Sequence, residues 1–214
     1  MIKRFFDLVE LRTKITSVFA FGLALAYLFL NQVAIHWDRT AIFFVSMLAI
    51  DMMATALNNV KGARSEKETL PVSKRNAWII IALLAWIGVG LGLYLSRIAG
   101  MVVLATGALC FFFGVLYSYG PVPISYTPLG EVTSGIFYGL VIPFLTLQIN
   151  YPTGTLLEIR YLGMSVSANF QVMPILKLLI LSAIPVLLTA NIMLANNLCD
   201  LEKDRAIGRH TLPS

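Results

Sequence analysis

The sequence has little charge. Asp, Glu, Lys and Arg make up 13% of its 214 residues, and hydrophobic types make up 58%. A soluble domain carries about 25% charged residues, so a water-exposed globular surface is excluded. Cysteine is scarce: Cys110 and Cys199 both lie in or beside apolar runs. They imply no disulfide framework, and no Cys-x-x-Cys spacing offers a zinc site. Strand-period alternation is absent, which argues against a barrel. A cleavable signal peptide is absent too. The first apolar segment follows basic residues, but it is too long and lacks a small-residue cleavage site. The net charge of +5 says little about nucleic acid, which is not expected as a partner. Its distribution across a membrane matters more.

What is present is a series of long apolar runs. A helix needs roughly 20 such residues to cross the hydrocarbon core. Six segments qualify: Ile15–Val33, Thr40–Leu57, Ala77–Leu95, Ile98–Leu116, Leu129–Leu147 and Ile175–Leu194. Backbone amides in lipid must be satisfied within each segment, so the expected fold is an all-α, polytopic helical bundle forming a single membrane domain over residues 1–214. Twelve Lys and Arg residues fall on one side of alternating helices. The other side holds Arg39, Arg97, Arg160 and Lys177. That bias places both termini in the cytoplasm, in a multi-pass protein of the cell membrane.

Other features are read more plainly. The arm Phe5–Lys14 is expected to lie along the membrane surface. Trp37 and Trp78 read as interfacial anchors, Trp86 as packing. Gly135, Gly139, Pro143 and Pro185 mark kinks or close helix approach. Asp51 lies deep in the second span. It is either a functional residue, the default for an intramembrane acid, or one that caps a buried polar contact. The external loop Asn150–Pro174 carries no readable motif.

The densest chemistry closes the chain. After the sixth apolar run come Asn196, Asn197, Asp200 and Asp204, with Lys203, Arg205 and Arg209 among and behind them. If the helix continues, Asn197, Asp200 and Asp204 share one face, with roughly 5–6 Å between neighbouring Cβ atoms. Two carboxylates so placed repel unless a cation lies between them, and hard oxygen ligands suit Mg²⁺. The basic residues point to an anionic ligand carrying that metal, such as a diphosphate. The plain alternative is a helix that leaves the membrane into a solvated, charged end.

The string Asn196-Asn197-Leu-Cys-Asp200-Leu-Glu-Lys-Asp204-Arg-Ala-Ile-Gly-Arg209-His-Thr-Leu-Pro213 resembles the second aspartate-rich motif of the UbiA-type membrane prenyltransferases. It is most similar to the 1,4-dihydroxy-2-naphthoate branch of menaquinone synthesis. The link Tyr117-Ser-Tyr119-Gly-Pro-Val-Pro-Ile-Ser-Tyr126-Thr-Pro-Leu-Gly130-Glu131 resembles a stretch of the same branch, and Glu10-x-Arg12-Thr13-Lys14 resembles the start of its first helix. At the end of the second span, Asn58-Asn59-Val-Lys61-Gly62-Ala-Arg64 resembles the first aspartate-rich motif. There the chain departs from the family: the positions three and seven after Asn59 hold Gly62 and Glu66.

The resemblance implies Mg²⁺-dependent transfer of a polyprenyl group from its diphosphate to an aromatic acceptor, within the membrane lipid. It implies that Asn197, Asp200 and Asp204 serve catalysis, and that the same three with Asn196 and Glu66 hold the metal. Lys61, Arg64, Arg205, Arg209, Asn58 and Asn59 would contact the diphosphate. Tyr117, Tyr119 and Tyr126 would line the aromatic and prenyl groups. Family members continue into further helices, so the chain is expected to be incomplete and weakly active or inactive by itself. The alternatives are a paralogue that binds prenyl lipid without transferring it, or a membrane transporter.

Overall fold

In a computed structural model, residues 2–62, 70–162, 165–206 and 208–213 are described. Six helical segments are long and apolar enough to cross a membrane. They are Leu11–Leu30, where a 3-10 turn (Leu11–Lys14) runs into α2 (Ile15–Leu30), then α3 (Trp37–Gly62), α4 (Lys74–Ala99), α5 (Met101–Ser118), a segmented fifth span (Gly130–Asn150) and α8 (Val172–Cys199). Each coincides with an expected apolar run. The helices of α3 and α4 are 26 residues each, longer than hydrocarbon requires, because polar residues at their ends continue the helical hydrogen bonding. Ser73 starts α4 by accepting the Asn76 N–H on its side chain, a standard N-cap. Gly100, at φ 93°, makes the tight join from α4 to α5 in a conformation that glycine adopts without steric cost.

The outward faces are apolar, as lipid demands. Trp86 is 78% exposed, so it faces outward rather than packing inside the bundle. The side chain is large and apolar and lies mid-helix, where the surrounding lipid satisfies it as well as a core would.

The fifth span is built from α6 (Gly130–Ile136), a wide π turn (Phe137–Val141) and α7 (Ile142–Asn150). Its small residues let it press on α8. A Cβ on Gly135 would lie 2.9 Å from the Val186 carbonyl oxygen, and one on Gly139 would meet the backbone of Val186 and Pro185. Pro185 lacks an N–H and interrupts the ladder of α8, and the two irregular stretches meet there.

Two expectations need correction. The loop before α8 contains an antiparallel hairpin, β1 (Glu158–Leu162) with β2 (Ser165–Asn169). Its strands do alternate: Ile159 and Tyr161 on one, Val166 and Ala168 on the other, between polar residues. The N-terminal arm does not simply lie on a surface. It forms α1 (Ile2–Val9), and Leu8 and Val9 are fully buried against Met53, Ala56 and Leu57 of α3 and Ala77 and Ile81 of α4. Burying such side chains contributes about 1.5–3 kcal/mol each. Asn59 secures the arm by donating from Nδ2 to the Leu8 carbonyl at 3.0 Å and to Glu10 Oε1 at 2.9 Å.

Candidate active site

A cavity of about 1100 Å³ runs between α3, α4, α5, the fifth span and α8. At the end nearer the chain termini its wall carries Glu10, Arg12, Asn58, Asn59, Asn196, Asn197, Asp200 and Arg209. Farther in, the wall becomes hydrocarbon: Phe43, Met47, Ile50, Val103, Phe111, Leu145 and Ile192. Gly88, Gly92, Gly107 and Gly114 also line it; Gly88 lets Ile50 of α3 approach closely, while a Cβ on Gly107 would meet nothing within 4 Å. The result is one chamber with a polar rim and an apolar depth.

Helix ends place the rim. Asn58 and Asn59 occupy the last turns of α3, and Asn196 and Asn197 those of α8. Asn58 Oδ1 accepts from Ser125 Oγ at 3.4 Å. Asn197 Nδ2 donates to Glu131 Oε1 at 2.7 Å. An amide whose nitrogen is so engaged has its oxygen left to offer the cavity. Glu131 was not foreseen as a site residue. It is 2% exposed, also accepts the Leu212 N–H at 3.3 Å, and its Oε2 has no partner among the described residues. Its position in the first turn of α6, where a helix favours negative charge, was the available signal.

The two aspartates, one helical turn apart with the Asp204 N–H on the Asp200 carbonyl, lie in different surroundings. The helix α8 ends at Cys199, Asp200 forms its C-cap, and α9 (Leu201–Ala206) follows. Asp200 is exposed on the cavity wall. Asp204 is 2% exposed and is not among the described residues that line the cavity. Its Oδ1 instead accepts from Arg209 Nη1 at 3.2 Å. Arg205 is exposed and likewise away from that lining. Arg64 and Glu66 lie outside the described residues.

Two cations gather at one phenol. The Arg209 guanidinium lies 4.8 Å from the Tyr126 ring centroid and the Lys61 ammonium 5.2 Å from it. Lys61 also donates to the Gly120 carbonyl at 3.2 Å and lies 5.9 Å from the Tyr119 ring. Lys61 and Tyr119 are not among the described lining residues, whereas Tyr117 and Tyr126 are. Tyr117 accepts a hydrogen bond from Ser134 Oγ at 3.1 Å.

Asp51 makes a buried polar contact. Its Oδ1 accepts from Lys14 Nζ and from the Tyr138 hydroxyl, both at 2.6 Å. Ser17 Oγ donates to Oδ2 at 2.8 Å. Sequence reasoning had no means of pairing Asp51 with Lys14, which lies 37 residues away.

Among the described residues, no three His, Cys, Asp or Glu side chains converge to hold a metal by themselves. Besides Glu10, whose Oε1 is taken by Asn59, the rim offers the carboxylate of Asp200 with the amides of Asn196 and Asn197. Such a set of hard oxygens fits Mg²⁺ shared with a phosphate, since that ion is usually held by one or two carboxylates plus substrate oxygens.

The model of the UbiA prenyltransferase family matches residues 17–214. The 1,4-dihydroxy-2-naphthoate octaprenyltransferase of Bacillus subtilis (strain 168) is 32% identical over 127 residues, covering 59% of this chain and 34% of the relative. The match thus spans about a third of that relative's length. No solved structure matches significantly.

Proposed function

Because the chain belongs to the UbiA prenyltransferase family, we propose that its cavity takes a polyprenyl diphosphate and transfers the prenyl group to an aromatic acceptor. The acceptor we propose is 1,4-dihydroxy-2-naphthoate, after the name of the bacterial relative. The supporting observation is the cavity itself, polar at one rim and largely apolar below it, a shape that suits an amphiphile with an anionic head. The head would meet Asn58 and Arg209 as donors, charge-assisted in the case of arginine, while Asn59, whose two amide protons go to Leu8 and Glu10, would shape the rim without donating. Lys61 adds positive charge through the shared Tyr126 platform. The tail would fill the hydrocarbon depth.

Mg²⁺, held by Asp200 with Asn196 and Asn197, would offset the negative charge that grows on the departing diphosphate. Asp204 would act at one remove, by holding Arg209. Loss of diphosphate leaves an allylic cation, and the ring face of Tyr117 suits its stabilisation, since Tyr126 already carries Arg209 and Lys61. The acceptor ring then attacks that carbon, and the new C–C bond replaces the bond to the ring's carboxylate, which would leave as CO₂. The excess of Lys and Arg on the rim side supports a cytoplasmic site in a multi-pass membrane protein.

A second reading rests on one residue. Gly62 stands where the first motif would supply a carboxylate, which favours a chain that binds prenyl diphosphate without transferring it. Equilibrium binding of a radiolabelled prenyl diphosphate to the purified protein, with and without Mg²⁺, tests both. Mg²⁺-dependent binding is expected; its absence would overturn both readings. Release of diphosphate when acceptor is added then separates transfer from storage.

A further inference from the structure

A buried polar group interrupts the apolar wall of the cavity, and neither the diphosphate nor the prenyl tail calls for it. Lys14 is 4% exposed and Asp51 7%. Lys14 Nζ lies 2.6 Å from both Asp51 Oδ1 and Thr55 Oγ1. Ser17 takes Asp51 Oδ2, and Tyr138 takes Oδ1. The two charges cancel within the group and every proton of the ammonium has an acceptor nearby, including the Asp51 carbonyl at 3.4 Å. A salt bridge at that depth is costly to desolvate, and a hydrocarbon wall would have held a prenyl chain equally well.

Lys14, Asp51, Thr55 and Tyr138 all line the cavity. Of these, Tyr138 has a capacity left over. Its proton goes to Asp51, so its oxygen presents lone pairs and acts toward the cavity as an acceptor. It sits in the π turn, a kind of irregularity found frequently at functional sites. Asp51 lies seven residues before Asn58 on α3, a depth of about 10 Å along the helix. That depth leaves room for a diphosphate between the amides and Tyr138, and puts Tyr138 beside the first prenyl carbons.

We infer that Tyr138 receives a free hydroxyl of the aromatic acceptor, with Asp51 and Lys14 as positioning residues that fix the direction of its own proton. This deepens the function proposed above and rests on it. The acceptor O–H donates to the Tyr138 oxygen, and Tyr138 donates to Asp51. Polarising that O–H bond pushes electron density into the ring and makes its carbon a better nucleophile. The site therefore selects rings that carry a free hydroxyl over rings that lack one.

The test is binding by the full chain in detergent, with Mg²⁺ and an unreactive prenyl thiodiphosphate present. The wild type is expected to bind 4-hydroxy-2-naphthoate about tenfold tighter than 2-naphthoate, the worth of one hydrogen bond. Tyr138→Phe is expected to bind the two alike, with its thiodiphosphate affinity unchanged and its melting midpoint lowered, because the buried Asp51 carboxylate loses a donor. A variant that still discriminates, or a wild type that does not, overturns the inference while leaving the prenyl site intact. A wild type that fails to bind the thiodiphosphate overturns the site and this inference together. The comparison of the two naphthoates needs no variant, so a poorly folding Tyr138→Phe does not spare the inference.

Discussion

Arg209 closes back on Asp204. Its Nη1 donates to Asp204 Oδ1 at 3.2 Å and its backbone N–H to the Asp204 carbonyl at 2.9 Å. The carboxylate is 3% exposed and the guanidinium 21%. This pair holds the segment after α9 over Tyr126, whose carbonyl accepts the His210 N–H at 3.0 Å. Arg209→Met would strand a buried carboxylate, at a cost of about 3 kcal/mol. Asp204→Asn in the same chain should recover most of that loss. Chemical unfolding in mixed micelles reads both, and purely additive losses would show that the two do not act as a pair.

Asp200 should behave differently. It is exposed on the cavity wall, so Asp200→Asn should change stability by less than about 0.5 kcal/mol. Its Mg²⁺-dependent affinity for prenyl diphosphate should drop by at least about tenfold. An Asp200→Asn protein with wild-type affinity would remove this residue from the metal set.

Lys14 and Asp51 form a compensated pair inside the bundle. Removing one partner leaves the other charge buried and alone, so Asp51→Ala should cost about 3–5 kcal/mol. The Lys14→Met, Asp51→Leu double variant should regain most of it. If Asp51→Ala melts with the wild type, the ammonium has found another partner and the pair carries no such energy.

Gly139 is the tightest join in the molecule for which a substitution is simple to read. A Cβ there would meet the backbone of Val186 and Pro185, whereas a Cβ on Gly90 would meet nothing within 4 Å. Gly139→Ala should destabilise by about 1–3 kcal/mol. Gly90→Ala, mid-helix, should gain about 0.5–1 kcal/mol. Equal effects of the two would mean that the π turn moves aside easily.

The spans were legible because lipid imposes a single strong demand, length of apolar sequence, and the runs from Ile15 to Leu194 meet it. Their ends were not, because Trp37, Lys74 and Cys199 continue helical hydrogen bonds past the apolar stretch. The hairpin carried its signal in the alternation at Ile159, Tyr161, Val166 and Ala168, hidden by strands of five residues. Asn58, Asn59, Asn196 and Asn197 could be singled out because amides at the ends of apolar helices are conspicuous, and they do meet at one cavity. The divergence of Asp200 from Asp204 could not be read from spacing. It depends on Arg209 folding back onto Asp204, a tertiary fact. Glu131 stayed hidden for the same reason, since its partners Asn197 and Leu212 lie far along the chain.

The seat of Gly139 against Pro185 and Val186 ties the turn that carries Tyr138 to the helix that carries Asn196 and Asn197. These two levels of the chamber therefore cannot slide past one another without breaking that joint. That joint sets the spacing between the two levels that any guest in the chamber would span.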